Sequence, residues 1–259
     1  MKNLTYFFLL FFLSVSCKNP TDENQNIITL FNGKDFTGWD LKITGHPLNE
    51  NYKSIFSVED SILKVSYDQL DSFRGEFGHI FYKQQFSDYK LMLEYRFTGE
   101  QCPGGPDWGW RNSGIMFHSQ SAQSMSIDQD FPVSIEVQFL GGPETGERST
   151  LNVCTPGTDI DIDGIPAEGH CHNSSSKTFA GDRWVKAEII VYGDSIIHHV
   201  VEGDTVMTYT KPRIGPEMRP ENYSVADGSP LTGGYIALQA ESHNVEFRRI
   251  KLLDLSGNR

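Results

Sequence analysis

One carboxylate sits where a strand should carry none. The segment Ser134 to Leu140, SIEVQFL, reads as a buried β-strand. Alternation puts Ser134, Glu136 and Gln138 on one face and Ile135, Val137 and Phe139 on the other. The apolar set can enter a core. The polar set cannot, because a buried carboxylate without partners costs several kcal/mol, so Glu136 must face a polar cavity or a cation. The same division recurs in two more segments. In NSGIMFHSQ, Asn112, Gly114, Met116 and His118 share a face opposite Ile115 and Phe117. In YIALQAES, Tyr235, Ala237, Gln239 and Glu241 oppose Ile236, Leu238 and Ala240. A solvated outer face would carry Lys, Glu and Thr, as VKAEIIVYG and LKVSYDQ do. Amides, an imidazole, carboxylates and glycine instead suit a sheet that binds a ligand.

Other residues also carry groups that could do chemistry. Glu136 is followed by Gln138 and Phe139, so no second carboxylate lies on its own strand; Glu241 is the candidate partner from another. Asp159 to Gly164, DIDIDG, copies the start of an EF-hand loop. The twelfth position is His170 rather than Glu and no helices flank it, so a surface loop is expected. His170 and His172 with Cys154 have the wrong spacing for a Cys-x-x-Cys zinc site, and export favours a Cys154–Cys171 disulfide. Cys102 is left odd. In CPGGPDWGWRN, Trp108 and Trp110 are either packing groups or a stacking platform for a ligand.

The elements that must position these groups are strands. Gly and Pro recur, apolar residues alternate or come in short runs, and turns such as YGDS and VEGD separate candidate strands. This pattern, with no βαβ rhythm, predicts an all-β antiparallel sandwich. Long insertions at 98–112, 141–178 and 213–231 are expected to rim one open face. Residues 1–16 have the layout of a lipoprotein signal peptide: Lys2, an apolar run from Leu4 to Leu13 too short to span a bilayer, and small residues before Cys17. Cys17 is then the lipidated first residue, 17–27 a flexible tether and 28–259 one domain. The protein is expected to be an exported bacterial lipoprotein, periplasmic or on the outer membrane or cell surface, held to the membrane through Cys17. A formal net charge of −12 with no basic stripe argues against a nucleic-acid partner.

Five segments in order, LFNGKDFTGWD, RNSGIMF, SIEVQFL, GDRWVKAEIIVYGDSIIHHVVEGDTVMTY and GGYIALQAESHNVEFRRIKL, resemble the 3-keto-disaccharide hydrolase family. The resemblance runs from about Ile28 to Leu255. It implies a two-sheet jelly-roll sandwich of the concanavalin A-like lectin/glucanase type holding a sugar, often a 3-keto-glycoside. Where many members have a His-Gly pair after the last Leu-Gln, this chain has Glu241 and His243. A ketone at C3 acidifies the C2 proton, so one base and a stabilised enolate suffice for cleavage. The expected roles are then Glu136 as base or metal ligand, and His118, Glu241 and His243 as proton carriers or metal ligands. Asn112, Gln138, Gln239, Trp110 and Arg111 would hold the sugar. A divalent ion, calcium or a transition metal, is compatible with this set, but its ligands are not fixed by the sequence. The competing readings are a carbohydrate-binding lipoprotein without activity and a direct glycoside hydrolase using Glu136 and Glu241.

Overall fold

The computed structural model describes residues 27–258. The leader, Cys17 and the tether up to residue 26 lie outside the described residues. The strands in chain order are β1 (Ile27–Thr29), β2 (Trp39–Ile43), β3 (Phe56–Glu59), β4 (Ile62–Val65), β5 (Gly78–Phe86), β6 (Asp88–Gln101), β7 (Asn112–Ser119), β8 (Ile135–Leu140), β9 (Asn152–Cys154), β10 (Thr158–Ile162), β11 (Ile165–Pro166), β12 (Cys171–His172), β13 (Val185–Tyr192), β14 (Ile196–Val201), β15 (Asp204–Ile214), β16 (Gly234–Ala240) and β17 (His243–Asp254). Helix among the described residues is confined to three-residue 3-10 turns.

The strands form a two-sheet antiparallel jelly-roll sandwich. One sheet runs β11-β10-β15-β14-β13-β6-β17-β4-β3, with β1 also paired to β17; the other runs β12-β9-β8-β7-β16-β5-β2. The period-two pattern explains the layering. Ile115, Phe117, Ile135, Val137, Phe139, Ile236 and Leu238 of the seven-stranded sheet point inward and join Leu91, Leu93, Tyr95, Ile189 and Val191 of the ten-stranded sheet in one core. Tyr95 of β6 stacks on Phe139 of β8 with ring centroids 4.1 Å apart and planes 3° from parallel, which locks the sheets together. The Tyr95 hydroxyl lies 2.7 Å from the Thr150 hydroxyl, so its polar end is satisfied.

The insertion at 141–178 is more structured than its composition suggests. It supplies β9 and β12 to one sheet and β10 and β11 to the other. DIDIDG is no cation loop. Asp161 pairs across strands with Lys211 and Arg213 at 2.8 Å, and Asp163 and Gly164, both left-handed, turn the chain from β10 into β11. The structure also adds β2, WDLKI, a short alternating segment whose Asp40 and Lys42 are buried along with its apolar residues. Removing the ring that bridges the sheets, Phe139→Ala, should cost about 3–5 kcal/mol of unfolding free energy. Urea denaturation of this variant against wild type is the measurement that checks it.

Candidate functional site

The face of the seven-stranded sheet turned away from the core carries the site. Cross-strand register places Glu136 opposite Met116 on one side and Cys154 on the other, and Gln138 opposite Gly114 and Asn152. Asn112, Glu136, Gln138 and Glu241 line one cavity of about 380 Å³. Trp108, Phe131, Pro156, His170, Met218 and the Cys154–Cys171 disulfide form the rest of its wall. Gly114 makes the floor possible. A Cβ there would lie 2.8 Å from Glu136 Oε1 and 3.1 Å from the Val137 carbonyl oxygen, so the carboxyl side chain occupies the space a larger residue would take.

The polar groups of the floor are buried and only partly satisfied. Asn112 donates from Nδ2 to the Trp108 carbonyl at 3.1 Å, while its Oδ1 has no partner. Gln138 accepts from Asn152 Nδ2 at 3.3 Å. Glu136 Oε1 and Glu241 Oε2 have no hydrogen-bond partner. Burial pushes the Glu136 carboxyl up to about 8. Glu241 is held well above the usual carboxylate range, first by burial and then by the charge of Glu136. Gln239 is fully buried on the same face, with neither amide atom paired. Its cross-strand neighbour His79 also has both ring nitrogens unpartnered, and burial followed by the charge of Lys42 lowers its pKa to about 3. Lys42 itself donates to the carbonyls of Ile43, His46 and Ile127, tying two loops down beside the cavity.

Two histidines expected on this face are turned away from it. His118 adopts a left-handed backbone (φ 47°) where the β16 pairing shifts register. The irregularity breaks the alternation, and Nε2 sits 3.0 Å from the Gly193 carbonyl in the β13–β14 turn. His243 follows Ser242, also left-handed at φ 76°. That residue reverses the chain's facing after Glu241, so His243 packs edge-on against Phe97 and Trp110. Burial and then the charge of Arg111 lower its pKa to about 4, leaving it neutral near pH 7. Neither histidine lines the cavity.

Trp110 and Arg111 also lie outside the cavity wall. The guanidinium carbons of Arg111 and Arg148 stand 5.5 and 5.4 Å from the Trp110 ring centroid. Arg111 is bound to the Gly181 carbonyl and to Asp182, and Arg148 to the Trp110 and Gly141 carbonyls. Of the two tryptophans, Trp108 is the one at the cavity, stacked on Phe77 at 5.7 Å and 9°. His79, Trp108 and the loop residues Phe131 and Met218 were not singled out by alternation; His79 alone had a usable signal, its period-two relation to Phe81 in β5.

Cys154 and Cys171 are bonded, with Cα atoms 4.1 Å apart, and they tie β9 to β12 at the cavity wall. Their sulfurs are therefore not thiolates, and His170 beside them belongs to no zinc cluster. A hard divalent cation entering the cavity would instead meet the oxygens of Asn112, Glu136 and Glu241.

The raised carboxyls have a consequence for stability. Below about pH 4.5, the unfolded value, folding is favoured in full by their tighter proton binding; that contribution is lost as pH rises through about 8. Glu136→Gln should therefore raise the melting temperature at pH 8 and change it little at pH 4, as differential scanning calorimetry at the two pH values would show.

With this geometry in hand, three comparisons are informative. A family model described as a 3-keto-alpha-glucoside-1,2-lyase-like domain matches residues 26–253. A 3-keto-disaccharide hydrolase of Bacteroides thetaiotaomicron is 23% identical over 260 residues, covering 92% of this chain and 82% of its own. Among solved structures, a Parabacteroides distasonis protein provisionally described as a glycosyl hydrolase superposes with a TM-score of 0.54 at 19% identity, covering 93% of this chain and 99% of that one. The Ca²⁺-bound exoplasmic/lumenal domain of VIP36 gives 0.50 at 12% identity, covering 90% and 91%. Both structural likenesses are matters of fold.

Proposed function

Because the chain belongs to the 3-keto-alpha-glucoside-1,2-lyase-like family, we propose that it cleaves 3-keto-glycosides, with Glu136 as the base that removes the C2 proton. The observation that carries this reading is the Glu136 carboxyl itself: buried on a sheet, aimed into a cavity, with Oε1 unpartnered. The C2–H electrons form an enolate with the C3 oxygen. Return of those electrons restores the ketone, makes the C1–C2 double bond and expels the C1 oxygen. Glu241, held well above the usual carboxylate range by burial and then by the charge of Glu136, gives that oxygen its proton. Water then adds at C1, and a proton returns to C2. The sum is hydrolysis. A base near pKa 8 is better matched to a proton beside a ketone than an ordinary carboxylate is. Asn112 Oδ1 and the Gln138 amide orient ring hydroxyls, and a divalent cation, when bound, would polarise the C3 oxygen.

The shared cavity also favours a second reading, direct glycoside hydrolysis by Glu136 and Glu241. Both routes need Glu136 ionised and Glu241 protonated, so the substrate that is cleaved is what distinguishes them. A carbohydrate-binding protein without activity would use the same amides and aromatics. Incubating the protein with a glucoside and with its 3-keto form, with and without chelator, and following aglycone release separates all three. Release from the 3-keto form alone supports the proposal; release from the plain glucoside supports direct hydrolysis; no release from either supports the binder. Glu136→Gln should cut turnover of the 3-keto substrate by at least about a hundredfold. Wild-type rate should climb with pH to a plateau above about 8 as Glu136 ionises.

We place this activity outside the cytoplasm, on a lipoprotein anchored through Cys17. Cys17→Ala should move the protein from the membrane fraction to the soluble fraction; a membrane-bound variant would refute the anchor.

A further inference from the structure

We infer that the cavity takes glycosides whose leaving group is a planar apolar ring, seated by Trp108, Phe131 and Met218. This rests on the sugar-cleaving reading above and adds the class of substrate. Its basis is the way polarity changes with depth. Asn112, Glu136 and Glu241 are 2%, 6% and 3% exposed, whereas Trp108 and Met218 are each 50% exposed. The deep end therefore offers carboxyls and amides to a sugar ring. The outer end offers an indole, a thioether and the half-buried Phe131 ring. His170, half-buried beside the disulfide, is the imidazole in this wall.

The outer groups are held in place. One face of the Trp108 indole stacks on Phe77, and Phe131 leans against the same two rings at 6.5 and 5.0 Å. Leaving large apolar side chains half in water is unfavourable, and covering them with an apolar ring recovers that free energy. A second sugar placed there would bring many hydroxyls that lose hydrogen bonds to water, with only the Trp108 indole N–H and the His170 ring to replace them. A groove on the far side of Phe131 and Met218 is lined by Asp128, Asp130 and Arg219, and there a second sugar would find partners. That groove defines the competing outcome.

The test uses 3-keto C-glucosides in both anomers, because a simple carbon substituent at C1 cannot be expelled and binding is read without turnover. Isothermal titration calorimetry compares methyl, phenyl and glucosylmethyl substituents. The phenyl compound should bind about tenfold tighter than the methyl compound. The glucosylmethyl compound should bind no tighter than the methyl one. Trp108→Ala should bring the phenyl-to-methyl ratio close to one, and Met218→Ser should lower it. Tightest binding by the glucosylmethyl compound, or a ratio unmoved by Trp108→Ala, overturns the inference and leaves the sugar reading standing. Binding of none of the three overturns both.

Discussion

Two carboxyl groups lie buried on one face of a sheet with oxygens that nothing in the protein satisfies, and the rest of the molecule is arranged so that this can persist. Loops carrying Trp108, Phe131 and Met218 and the disulfide-tied segment around Cys171 wall the cavity into which they face. The sheet beneath is rigid because its other face is fixed in the core, where Phe139 lies flat on Tyr95. The cost of the unsatisfied oxygens appears as raised pKa values, and a raised pKa is what turns a weak carboxylate base into one suited to a carbon acid near neutrality.

The contrast with His199 shows what a purely structural buried group looks like here. Its Nδ1 lies 2.9 Å from the Leu151 carbonyl and its Nε2 2.8 Å from the Tyr209 hydroxyl, so both nitrogens are used and the ring is neutral. It joins the insertion to the ten-stranded sheet and has nothing left to offer a ligand. Glu136, Glu241, Asn112, Gln239 and His79 keep unpartnered atoms on the opposite face of the other sheet. Stability and binding are thus divided between the two faces of one seven-stranded sheet.

The division of those faces was legible in the sequence because a strand alternates with period two. Glu136, Gln138, Asn112 and Gln239 could be assigned to one face from three short segments. Alternation failed at single left-handed residues. His118 lies at such a position and His243 follows one at Ser242, and each of these inverts the side on which the next side chains emerge. Nothing in His-Ser or Ser-His announces that inversion. The tryptophan pair failed similarly. Trp108 sits in a 3-10 turn facing the cavity and Trp110 just beyond it, and contacts distant in sequence, with Arg148 and His243, show that Trp110 packs away from the cavity. Phe131 and Met218 reach the site from loops, where no periodicity exists to read. β9, β11 and β12 span only two or three residues each, too short to show alternation, while β10, TDIDI, alternates but lies in a stretch that reads as a surface loop.

Family and fold narrow the chemistry without assigning it, since the same sandwich carries proteins of different activity. The account therefore turns on the protonation of one side chain. Its most direct measurement is a carboxyl-carbon NMR titration of the folded protein, with the Glu136 resonance assigned by its loss in Glu136→Gln. A midpoint near pH 8 is the result this account predicts. A midpoint near 4.5, the ordinary value for glutamate, would contradict it, because Glu136 would then be a solvated or paired carboxylate with no special capacity to take a proton from carbon.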